Sequence, residues 1–141
     1  MIEFIKKLFC PFHKKCRMNN ITPPVYLDTI EDRGNLFLVR LKGDIDMNIL
    51  GSNREHMTQV IEAMNLYTKN ILVDFKKVTH TDSATVAALM GRLLDIQKYN
   101  HRIALVSIPD GLKKLIEILK VQHNFTIYDN ETLAIQSFAG N

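Results

Sequence analysis

From residue 70 onward the hydrophobic period of this chain switches repeatedly between that of a strand and that of a helix, and this alternation limits the folds open to it. The run Ile71-Leu72-Val73-Asp74-Phe75 is short, apolar and rich in β-branched residues, as a buried strand is. Val86, Leu89, Met90 and Leu93 then recur at spacings of three and four, which predicts a helix over about 84–99. The cycle repeats twice. Arg102-Ile103-Ala104-Leu105-Val106-Ser107 leads to Leu112, Leu115, Ile116 and Leu119, and Phe125-Thr126-Ile127-Tyr128 leads to Leu133, Ala134, Ile135 and Phe138. Strands separated by helices pair in parallel, because the crossover returns the chain to the end of the sheet where the previous strand began.

The first half reads differently. Pro23-Pro24 disfavours helix on both sides of itself and marks the start of ordered structure. Val25 to Ile30 is a strand, Asp32-Arg33-Gly34-Asn35 a turn, and Leu36 to Leu41 a second strand, together a hairpin. Gly43-Asp44-Ile45-Asp46 follows as a loop, after which Leu50, Met57, Val60, Ile61, Met64 and Tyr67 lie on one helical stripe. The expected fold is α/β: a mixed sheet with an N-terminal hairpin followed by strand-helix alternation, with helices covering the sheet. Its turns Gly43 to Asp46, Thr79 to Thr85 and Ser107 to Gly111 should gather at the carboxyl ends of the strands, where such folds bind ligands and partners.

A chain of 141 residues with 46% hydrophobic and 23% charged content matches a single globular domain. No run approaches the ~18 consecutive apolar residues of a membrane span. The formal net charge of +3 is concentrated in residues 1–20, where Lys6, Lys7, Lys14, Lys15 and Arg17 face only Glu3. The body from 21 to 141 is thus close to neutral, and direct nucleic-acid binding is not expected of it. The only cysteines, Cys10 and Cys16, also fall in the tail, which fits a reducing, cytoplasmic setting. In the tail, Ile2, Ile5, Leu8 and Phe9 would share one face of a short helix ending at Pro11, suited at most to weak membrane-surface contact. Cys10, His13 and Cys16 are one ligand short of a tetrahedral zinc set, so no metal or other cofactor is expected.

Between the strand at 71–75 and the helix after it stands Thr81-Asp82-Ser83-Ala84-Thr85. Small hydroxyl and carboxylate side chains at a helix N-terminus satisfy its free N–H groups, and the positive end of the dipole favours an added negative charge. Asp44, Asp46 and Asp82 have no His or Cys partners at ligand spacing and are expected to cap and to turn. His80 is not expected to act as a base for Ser83, since no Gly-x-Ser-x-Gly elbow or oriented third member accompanies it.

Three segments carry a resemblance to the STAS domain, the family of bacterial anti-sigma factor antagonists: Leu41-Lys42-Gly43-Asp44-Ile45-Asp46, Asp74-Phe75-Lys76-Lys77-Val78 leading to Asp82-Ser83, and Ile127-Tyr128-Asp129. It covers roughly residues 24–138. The resemblance implies that Ser83 is the phosphate acceptor of a partner serine kinase and that the unphosphorylated form binds an anti-sigma factor, freeing a sigma factor. It implies a non-enzymatic, protein-binding regulator whose contact surface is drawn from Asp44, Asp46, Asp82, Ala84, Thr85, Val86 and Met90. The family's usual run is aspartate, serine, serine or threonine, glycine, an apolar residue and glycine; here Ala84, Thr85 and Ala87 replace the hydroxyl residue and both glycines, adding Cβ atoms where a partner would approach. Another branch of the family offers an alternative, a non-phosphorylated docking subunit of a lipid-transport ATPase complex. A nucleotide-binding module, with Lys76-Lys77 near a helix N-terminus, and a hydrolase are further alternatives; the former has no glycine-rich cradle.

Overall fold

The computed structural model describes residues 21–96, 101–119 and 125–139. Strands β1 (Leu27–Asp32) and β2 (Leu36–Asp44) precede helices α1 (Met47–Ser52) and α2 (Arg54–Met64) and a short 3-10 turn (Leu66–Thr68). Then β3 (Asn70–His80), α3 (Ser83–Ile96), β4 (Ile103–Val106), α4 (Asp110–Leu119), β5 (Phe125–Tyr128) and α5 (Glu131–Ala139) alternate. The five strands lie side by side in chain order, with β1 antiparallel to β2 and every later pair parallel. The hairpin turns where the sequence says it should. Gly34 adopts φ +88, a value other residues resist, and its N–H donates to Asp32 Oδ1 at 2.9 Å.

Strand pleating divides the apolar residues between two faces. Phe37, Val39, Leu41, Ile71, Val73, Phe75, Ile103 and Leu105 point to one side, where they meet Val60 and Ile61 of α2, Val86, Met90 and Leu93 of α3 and Ile116 of α4. Leu36, Leu38, Leu72, Ala104 and Val106 point to the other, where they meet Ala134 and Phe138 of α5. The topology accounts for this inequality. Strands added in one direction by right-handed crossovers keep every connecting helix on the same face, so the second face is left for the helix that follows the last strand.

On that second face a cluster of charges ties α5 to the sheet. The Arg40 guanidinium donates to Asp74 Oδ2 at 2.6 Å and to both Glu131 carboxylate oxygens at 2.8 and 3.2 Å, with Glu31 Oε2 3.4 Å away. Asp74 also accepts the Lys76 N–H at 2.9 Å. The strand residue Asp74 that broke an otherwise apolar run is therefore an ion-pair partner buried beneath a helix.

Two local expectations change. The stripe from Leu50 to Tyr67 is not one helix, because Asn53 interrupts it: its buried amide donates to Ile49 O at 2.9 Å and accepts the Val25 N–H at 3.0 Å, so it serves the incoming chain as well as the turn. Asn65 then ends α2 with φ +53, leaving Tyr67 exposed. The strands are also longer than their apolar runs. β2 continues through Asp44 and β3 through His80, pairing Lys42 with Lys77, Gly43 with Val78 and Asp44 with His80 across two register irregularities.

Candidate functional site

The polar ends of β2 and β3 and the start of α3 form one surface. Asp44 accepts hydrogen bonds from the Thr79 hydroxyl and lies 3.1 Å from His80 Nδ1, and the Ile45 N–H donates to the His80 carbonyl at 2.9 Å. The Thr79 hydroxyl first, then the His80 ring, hold the Asp44 carboxyl below the usual carboxylate range. Two residues on, Asp46 caps α1 by accepting the Ile49 N–H at 2.8 Å.

Only Thr81 and Asp82 separate β3 from α3. Asp82 is the cap: its Oδ1 accepts both the N–H and the hydroxyl of Thr85 at 2.8 Å, and its carbonyl accepts the Val86 N–H at 3.0 Å. The Thr85 N–H, then its hydroxyl, hold the Asp82 carboxyl below its ordinary value. With the capping done by its neighbour, Ser83 is spared that duty. It is exposed in the first turn of α3, and its hydroxyl has no hydrogen-bond partner among the described residues.

Of the seven residues expected at the contact surface, Asp44, Asp46, Asp82 and Ala84 are exposed. Thr85, Val86 and Met90 are not. Thr85 is 0% exposed and Val86 and Met90 are each 1% exposed, so their side chains belong to the core and cannot meet a partner. The reason is helical phase: the apolar stripe that announced α3 is the stripe that packs on the sheet. What α3 turns outward at its start is small, with Ser83, Ala84, Ala88 and Gly91 exposed. The Thr85 side chain therefore does not fill the outward space that a glycine would leave there, because its Cβ points inward and its hydroxyl serves Asp82.

The Ser107 to Gly111 turn lies on the same end of the sheet but at a different level. Asp74 pairs with Val106 at the end of β4, whereas β3 runs on to His80. Thr79, expected in the turn that reaches Thr85, is instead a residue of β3, and its bond to Asp44 was not foreseen. The apolar strand pattern stops at Phe75, and a polar extension held by pairing with β2 has no apolar signature of its own. Cys10, His13, Cys16 and the rest of the 1–20 tail lie outside the described residues. Among those described, no three His, Cys, Asp or Glu side chains are grouped to hold a metal ion, and no helix is long and apolar enough to cross a membrane.

Comparison with known proteins gives this arrangement its class. The sequence profile of the STAS domain matches residues 27–134, and the chain belongs to that family. Its fold is that of the anti-sigma factor antagonist SpoIIAA. The unphosphorylated form of that protein superposes with a TM-score of 0.55 at 19% identity over 82% of this chain and 97% of the other, and the phosphorylated Bacillus form with 0.54 at 17% over 79% and 97%. A Thermotoga maritima protein described as a candidate anti-sigma factor antagonist gives 0.59 at 14% identity over 78% and 92%. These identities speak for the fold alone.

Proposed function

We propose that this chain is a cytoplasmic, non-enzymatic regulator that works by reversible protein binding, as an anti-sigma factor antagonist switched by phosphorylation of Ser83. The observation that carries the proposal is the division of labour at α3: Asp82 caps the helix, and Ser83 stands exposed with its hydroxyl uncommitted. A phosphate there adds about −1.5 to −2 charge at a helix N-terminus, a position the fold tolerates. It also adds that charge beside Asp82 and to a surface already carrying Asp44 and Asp46. A partner surface matched to the unmodified site would then meet a different charge without any change of fold. The contact surface we propose is Asp44, Asp46, Asp82, Ser83 and Ala84, with the outward small residues Ala88 and Gly91 extending it along α3.

Phosphate mapping by mass spectrometry, after incubation with the host's serine kinases and ATP, tests the proposal. Modification at Ser83, with loss of anti-sigma partner binding in Ser83→Asp and retention in Ser83→Ala, is the expected result. Unmodified Ser83 together with undiminished binding by Ser83→Asp would overturn it. The second reading, a docking subunit of a lipid-transport ATPase complex, is favoured by Ala84 and Ala87 in the places of the family's hydroxyl residue and second glycine. It predicts that the transporter is retained by the wild type and by Ser83→Ala alike, with no kinase involved.

A further inference from the structure

A cavity of about 280 Å³ opens between α1, α2 and α3, on the flank of the larger core and separate from Ser83. Its walls are apolar and include Leu50, Met57, Ile61 and Leu89. Tyr26, Arg54 and Arg92 also line it, with Asp95 as the single carboxylate among the described residues.

The polar lining groups are chiefly donors. Tyr26 is 3% exposed, yet its hydroxyl has no hydrogen-bond partner among the described residues. Burial pushes this phenol up to about 12, against the pull of the nearby Arg92 charge, so it is a donor at any ordinary pH. Neither Arg54 nor Arg92 forms an ion pair among the described residues, and Arg92 donates only to Thr58 Oγ1, at 2.6 Å. A guanidinium offers donors and no acceptor. The cavity thus sets the Tyr26 phenol and the half-buried Arg92 as donors beside apolar walls, while Arg54 is exposed to solvent. The Tyr26 hydroxyl is reached by solvent through the cavity, and a ligand carboxylate that replaces that water gains a charge-assisted hydrogen bond.

We propose that this cavity binds a free medium-chain carboxylic acid, its alkyl chain against Leu50, Met57, Ile61 and Leu89 and its carboxylate accepting from Arg92 and the Tyr26 hydroxyl. The volume lies near the lower end of small-ligand pockets, roughly 300–1,000 Å³, which favours a medium chain over a long one. Asp95 repels a second negative charge, so a monoanion fits better than a dianion. The site is independent of phosphorylation, although α3 carries Ser83 at its first turn and supplies Leu89 and Arg92 to the cavity.

Decanoate and decanol, added below their aggregation limits to the full-length protein, test this by NMR titration. Decanoate should give saturable amide shifts at Gly51, Ala88 and Leu89, and decanol should bind about ten-fold more weakly for lack of the charge-assisted hydrogen bonds. Arg92→Gln should lower decanoate affinity about ten-fold while leaving decanol unchanged, a split that a general loosening of the fold would not produce. Ala88→Trp, a change at an exposed helical position lining the cavity, should block both ligands. Absence of saturable shifts with decanoate, equal affinity for the two compounds, or shifts indifferent to Ala88→Trp would each overturn the proposal.

Discussion

Replacing Arg40 by Met removes the centre of the charge cluster that anchors α5, and its cost follows from the burial of each partner. The Arg40 side chain is 23% exposed and that of Asp74 only 6%, whereas Glu31 and Glu131 both reach solvent more freely. Removing one partner of a buried pair costs about 3–5 kcal/mol because an uncompensated charge remains, while solvent-facing partners contribute about 0–1 kcal/mol each. Asp74 keeps its hydrogen bond from the Lys76 N–H, which trims the first figure. Arg40→Met should therefore lower stability by about 3 kcal/mol. Asp74→Asn should cost only about 1 kcal/mol, since Arg40 retains Glu31 and Glu131 and the neutral amide is cheaper to bury. Arg40→Met combined with Asp74→Leu leaves no orphaned charge and should regain most of the loss. Urea denaturation followed by far-UV circular dichroism measures all three, and hydrogen exchange should show faster opening of Glu131–Ala139 in Arg40→Met. Equal costs for the two single substitutions, or a loss below 1 kcal/mol for Arg40→Met, would refute the reasoning.

Three other outcomes are expected. In Asp82→Ala the buried Thr85 hydroxyl loses its acceptor, an orphan worth about 1–3 kcal/mol, so adding Thr85→Val should raise the urea midpoint of that variant; a further fall would contradict the cap geometry. Phe138→Ala should cost about 3–5 kcal/mol, because this buried ring, with the Arg102 guanidinium 4.4 Å from its centroid, is the chief apolar anchor of α5; calorimetry checks it. Acidification should destabilise the fold. Burial pulls Glu31 and Asp32 upward, but Arg33 and Arg40 on the first and Lys69 and the Gly34 N–H on the second outweigh it, so both fold with lowered pKa, as do Asp44 and Asp82. A lowered folded pKa means that the unfolded chain binds more protons in acid. The contribution is complete above the ordinary values of 4.5 and 3.8 and drains away as pH falls through the lowered ones. The urea midpoint should thus be flat from neutrality to about pH 5 and fall below it; a midpoint that rises in acid would refute the assignment.

The alternation of periods, the hairpin and the parallel order of the later strands were all legible in the linear chain, because each depends on contacts between residues close in sequence or on a pleat of period two. So was the position of Ser83 at a helix start. Asp82 was expected to cap, but whether Ser83 shares that duty was not legible: both are competent, and the choice depends on where β3 stops, which its pairing with β2 as far as His80 settles. The same long-range pairing brought Thr79 to Asp44. Helical phase decided that Thr85, Val86 and Met90, expected at the contact surface, are core; only Val86 and Met90 carried an apolar spacing that pointed that way.

Local chemistry thus specified elements, turns and the exposed hydroxyl, since propensity, capping and periodicity act over a few residues. Partnerships between distant segments were beyond its reach. Arg40 met Asp74 and Glu131, Asn53 took the Val25 N–H, and Tyr26 came to line a cavity with Arg92 only when the sheet had closed, because burial and register are properties of the packed chain and not of any stretch of it.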